Sequence, residues 1–209
     1  MTSPPLDREA LVRRGLRLNY LTLGYNVVEA LVSLVSGLLA GSVALVGFGV
    51  DSVIEVSASI AAQWRLRVDV DHARRERVES LTRRAIGISF LALALYVAID
   101  SGKSLWLAEH PDRSITGIVI LTMSLIVMPT LARAKRRVAR ELDSRALEAD
   151  ATQTSLCAWL SAIALAGVAL NAAIGWWWAD PVAALAMVPI IAREGMEGVR
   201  GEPHCDDCC

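Results

Sequence analysis

GSVALVGFGVDSVIEVSASIAAQW, residues 41–64, is apolar over a length that crosses a bilayer, yet it carries two acids in its middle, Asp51 and Glu55. Four residues apart on a helix, these carboxylates share one face and stand about 6 Å from each other. A charge at mid-membrane costs roughly 2.5 to 3.5 kcal/mol even on the most lenient insertion scale. Two acids on one face of one span therefore ask for a compensating ligand, and protons or a cation would serve.

Composition points the same way. Of the 209 residues 54% are hydrophobic, with a mean hydropathy of +0.44, too apolar for an ordinary soluble domain. Apolar runs cut by Gly, Pro and charged clusters define six spans, at residues 18–39, 41–64, 85–107, 114–131, 153–174 and 182–192. The last is short and is lengthened by an amphipathic stretch to residue 199. The expected fold is an all-α membrane protein of six transmembrane helices. Residues 1–17 form a polar, basic N-terminal segment, and the run after it lacks a small-residue cleavage site, so it reads as a retained first span. Ala40, Gly41 and Ser42 make a turn too short to join anything but a hairpin partner. Pro129 is expected to kink the end of the fourth span. Trp176, Trp177 and Trp178 sit where an interfacial anchor would, and Asp100 and Lys103 read as an ion pair near the outer face.

The basic residues sort by side. Lysine and arginine number 4 before the first span, 7 between the second and third, 6 between the fourth and fifth and 2 after the sixth, against Lys103 and Arg113 alone in the remaining loops. The positive-inside rule then puts both termini and both long basic loops in the cytoplasm of a multi-pass cell-membrane protein, and makes the number of spans even. Because the arginines alternate with acids between spans, topology and anionic lipid account for them better than nucleic acid does. Three of the four cysteines fall in the last five residues, which is no secreted disulfide framework.

The fifth span opens with Asp150, Gln153, Thr154 and Cys157, a single helical stripe. If it faces the second span, Asp51, Glu55, Gln153 and Cys157 offer two carboxylates, an amide and a thiol, a four-ligand cage for a divalent cation. The alternative is a polar network that locks helices together, with Cys157 a small core residue. Glu29 in the first span either faces the same cavity or is neutralised locally. Residues 200–209 form a tail in which His204, Cys205, Cys208 and Cys209 have metal-ligand spacing. In the first long loop, Asp69, Asp71 and His72 read as a solvated charge run. His110 reads as a surface residue.

The string Gly41-Ser-Val-Ala-Leu-Val, with Asp51 and Glu55 following, resembles the second span of the cation diffusion facilitator (cation efflux) family. Asn26 falls where that family often has Asn in its first span. Glu79-Ser80-Leu81 resembles the end of its loop into span three, Ser144 to Ala151 its approach to span five, and Asp180-Pro181 its approach to span six. The resemblance covers residues 18–199 and implies a transmembrane domain without the family's usual C-terminal cytoplasmic domain. It also implies a tetrahedral transport site built from spans two and five, and a homodimer. In span five the family pattern is His-x3-Asp, and the register set by Asp150 puts Gln153 and Cys157 at those positions. A thiolate at Cys157 favours zinc or a softer metal over manganese or magnesium, and Asp150, one turn earlier, is available to take over part of the ligation.

The function this implies is divalent heavy-metal transport, zinc first, by metal/proton antiport that exports from the cytoplasm through alternating access. Two carboxylates one turn apart share protons when empty and release them to a metal. The rival reading is a non-transporting metal-binding membrane protein, a sensor or partner subunit. An enzyme is disfavoured: no Ser or Cys stands beside a His within a span, and there is no H-E-x-x-H.

Overall fold

The computed structural model describes residues 5–67, 72–142 and 145–200. His204, Cys205, Cys208 and Cys209 lie outside the described residues, as do Asp69, Asp71 and the side chain of His72. Six helices make up the described chain: α1 (Pro5–Ala40), α2 (Val43–Arg67), α3 (His72–Leu107), α4 (Ile115–Leu142), α5 (Arg145–Ile174) and α6 (Ala179–Arg200). Each matches one expected span, α2 and α4 starting one or two residues after it, and most run well past it at the end that carries the arginines. Helical hydrogen bonding thus continues beyond the apolar stretch, because arginine and glutamate are good helix formers.

Pro129 lies inside a continuous helix. Helix α4 runs through it to Leu142, and α6 runs through Pro189 in the same way. Tertiary packing on both sides offsets the lost backbone donor, as is common in membrane helices. The expected pair of Asp100 with Lys103 is not formed: Lys103 Nζ meets Glu109 Oε1 at 3.5 Å, while Asp100 Oδ2 accepts the Tyr96 hydroxyl at 3.3 Å. The Trp176 and Trp178 rings stack between α5 and α6 with centroids 5.1 Å apart, and the His110 ring lies 5.2 Å from that of Trp177.

Four helices carry stretches long and apolar enough to cross a membrane, at Arg13–Ala40, Arg84–Leu107, Ile115–Glu141 and Asp150–Ile174, and only 33–39% of each apolar window is buried inside the protein. The remainder turns Leu31, Leu38, Leu39, Trp106, Ile115 and Ile126 outward. A water-soluble bundle would not expose so continuous an apolar surface; lipid covers it at no cost. Polar side chains collect in the interior instead, among them Asn26, Glu29, Asp51, Ser52, Glu55 and Lys135.

Helix α2 is central, packing against α1, α3, α5 and α6. Its start is fixed twice. Gly41, at φ +65°, turns the chain after α1, in the left-handed region that a side chain would resist. Ser42 then caps α2 through its hydroxyl, which accepts from Leu45 N at 3.2 Å. The other main packing pairs are α3 with α6, α4 with α5 and α1 with α4. Helices α3 and α6 come closest at Gly87 and Gly195, where a Cβ on Gly87 would lie 2.7 Å from the Gly195 carbonyl oxygen. Only glycine allows so close a backbone approach.

Candidate metal centre

Asp51 and Glu55 point from α2 into the bundle one turn apart, and Cys157 of α5 meets them there. One ligand atom from each of the three lies within 4.8 Å of the other two. All three are buried, at 2%, 6% and 0% relative exposure. Among the described residues this is the one group of three or more His, Cys, Asp or Glu side chains so placed.

The surrounding side chains orient the carboxylates. Asn26 Nδ2 of α1 donates to Glu55 Oε2 at 2.8 Å. Ser52 Oγ donates to Glu29 Oε2 at 3.2 Å, and Cys157 Sγ to the same oxygen at 3.7 Å. Glu29 is fully buried and faces the same interior as the α2 acids. Asp51 Oδ2 has no hydrogen-bond partner among the described residues. A buried carboxylate oxygen in that condition calls for a ligand or a proton.

Gln153 of α5 lines a cleft together with Asp51 and Glu55. The cleft is small, with a cavity volume of about 20 Å³, and its walls include Asp51, Glu55, Phe90, Gln153, Leu160 and Glu194. Gln153 and Glu194 are part-exposed where Asp51 and Glu55 are buried, so the cleft deepens toward the two acids, with Cys157 buried beyond its lining. Asp150 is engaged elsewhere: its Oδ2 lies 2.7 Å from Lys135 Nζ, which also donates to Thr154 Oγ1 at 3.2 Å.

Two participants escaped the sequence reading. Lys135 sits in a basic segment where charge reads as solvated, yet it is fully buried; its being a lysine among Arg133, Arg136 and Arg137 was the available signal. Glu194 lies in the amphipathic end of α6, and its spacing of three and four from Ile191 and Ile190 puts it on their face.

The profile of the cation efflux transmembrane domain matches residues 20–200. The chain belongs to the cation efflux family. Members of this family are multi-span membrane proteins that transport metal cations. Among curated relatives, an uncharacterized transporter of Synechocystis is 26% identical over 153 residues, covering 70% of this chain and 49% of its own. The uncharacterized transporter YdbO of Bacillus subtilis is 25% identical over 205 residues, 95% of this chain and 70% of its own. The cation-efflux pump FieF of Shewanella oneidensis is 23% identical over 172 residues, 79% of this chain and 58% of its own. The chain thus spans from about half to 70% of the length of these cation efflux relatives.

Proposed function

We propose that this chain moves a divalent heavy-metal cation, zinc first, across the cell membrane in exchange for protons, exporting it from the cytoplasm. The observation that carries this reading is the convergence of the buried Asp51, Glu55 and Cys157, ligand atoms within 4.8 Å, with the two acids lining a cleft. Two oxygens and a sulfur suit zinc better than magnesium, which keeps its waters and prefers oxygen alone. Membership in a metal-cation transport family supports the cargo class.

Under the positive-inside topology both termini are cytoplasmic, and the ends of α2, α5 and α6 that carry Glu55, Gln153 and Glu194 point to that side. A cation enters past Gln153 and Glu194 and meets Asp51, Glu55 and Cys157, where it displaces the protons they hold. Closure of the cytoplasmic end and opening of the outer end then expose it on the far side, and protons taken up there reset the site.

The rival reading, a membrane protein that binds metal without transporting it, draws on one observation: Gln153, a weak zinc ligand, stands where the family pattern has His. Zinc flux into proteoliposomes under an imposed pH gradient separates the two. The intact protein is compared with Asp51→Ala and with a chain ending at Gly201. Flux lost in Asp51→Ala and retained without the tail places transport in the α2 carboxylates and makes His204, Cys205, Cys208 and Cys209 auxiliary. Zinc binding with no flux of zinc, iron, cobalt, cadmium or manganese establishes the rival.

A further inference from the structure

We propose that the fourth protein ligand of the cation site is Glu29 of α1, in place of Gln153 of α5, so that the ion ties together three helices. The proposal rests on the reading of Asp51, Glu55 and Cys157 as the cation site.

Glu29 Oε2 stands 3.7 Å from Cys157 Sγ. Bond lengths of about 2.3 Å for zinc to sulfur and about 2.0 Å for zinc to oxygen put the two ligand atoms about 3.5 Å apart across a tetrahedral edge. The Glu29–Cys157 pair is therefore already at ligand spacing. Glu29 Oε1 and Asp51 Oδ2, both on buried side chains, have no hydrogen-bond partner among the described residues. Glu29 stands outside the group formed by Asp51, Glu55 and Cys157, so its carboxylate reaches the ion by a side-chain rotation from its place beside Cys157 toward the α2 acids.

The alternatives fit less well. Gln153 is part-exposed along the cleft and offers a neutral amide oxygen, a far weaker donor than a carboxylate. Asp150 is held by Lys135. Glu29, by contrast, is fixed by the Ser52 hydroxyl from α2, the kind of outer hydrogen bond that orients a metal ligand. Asn26 does the same for Glu55. Asn26 and Glu29 are one turn apart on α1, so that helix supplies both an orienting donor and a ligand. Three carboxylate oxygens and one sulfur form a harder set than an α5 His would give, suited to a borderline divalent cation.

The test uses the full chain in lipid nanodiscs with Co²⁺ as the probe, with Cys205, Cys208 and Cys209 changed to Ser throughout so that the only thiol of the parent is Cys157, titrating Glu29→Gln, Glu29→Cys, Gln153→Ala and Asp51→Ala beside that parent. Glu29→Gln is expected to weaken Co²⁺ binding at least about tenfold, while Gln153→Ala leaves it unchanged. Glu29→Cys is expected to double the sulfur-to-cobalt charge-transfer band, a readout on bound ion that stands even where Glu29→Gln fails to fold. An unchanged band in Glu29→Cys, or full affinity in Glu29→Gln with loss in Gln153→Ala, overturns the assignment of Glu29 and leaves the site reading intact. Full Co²⁺ affinity in Asp51→Ala removes the site reading itself, and the Glu29 assignment with it.

Discussion

The carboxylate of Asp180, at the start of α6, caps the helix that begins at Ser42. Its Oδ1 accepts the Ser42 hydroxyl at 2.6 Å and its Oδ2 accepts Val43 N at 2.9 Å. A buried anion thus sits at the positive end of α2, whose first backbone donors would otherwise be unmet in a medium without water. The cap fixes the height and rotation of the helix that presents Asp51 and Glu55.

Asp180→Ala is expected to destabilise the protein by about 2 kcal/mol, the usual scale for a lost cap with a charge-assisted bond, and Asp180→Asn by about half of that. Thermal unfolding in detergent measures both. Equal and negligible losses would show that α2 needs no anchor from α6.

Lys135→Met leaves Asp150 unpaired and should cost about 1 to 3 kcal/mol, less than a fully buried pair because water reaches the Asp150 carboxylate. Combining it with Asp150→Leu should restore much of that loss, and the double-mutant cycle reads the coupling. Asp150→Asn should leave zinc affinity near the parental value, since Lys135 already engages this acid. A large affinity loss would return Asp150 to the ligand set.

Zinc affinity should fall as pH falls. The ligands bind metal deprotonated, so every proton the ion must displace weakens binding about tenfold per pH unit wherever those groups are protonated in the empty site. Isothermal titration of zinc in buffers of differing ionisation enthalpy counts the protons. Release of none at neutral pH would remove the proposed exchange.

Replacing Cys157 with Ser should weaken cadmium more than zinc, because sulfur is the soft member of the set. The double change Gln153→His with Cys157→Asp installs the family pattern in α5 and should retain zinc flux while lowering cadmium flux relative to zinc. Paired flux assays with the two ions check this; an unchanged cadmium-to-zinc ratio in Cys157→Ser would mean the thiol never touches the cargo.

Much of this arrangement was legible along the chain. Asp51 and Glu55 stood out because an acid inside an apolar helix has few innocent explanations, and the stripe from Asp150 to Cys157 gave the facing helix. Glu29 was visible as an acid but not as a neighbour of Cys157, because sequence periodicity fixes a helix face without fixing its rotation against another helix. Asp180 and Ser42 lie 138 residues apart, a contact no local pattern encodes. Lys135 was misread because charge density in a loop predicts solvent, and the helix carries this one lysine back under its neighbour.

The glycine contact between α3 and α6 has a mechanical consequence. With no side chain between Gly87 and Gly195, the two backbones meet directly near their arginine-bearing ends, so α3 and α6 are joined there as one packed pair. Phe90, Ile190, Ile191 and Glu194 belong to that pair, while Asp51, Glu55 and Gln153 form the opposite wall of the cleft. On the proposed transport reading, the wall that would have to shift is this pair taken together, and a bulky side chain at Gly87 would pry it apart at the cytoplasmic end.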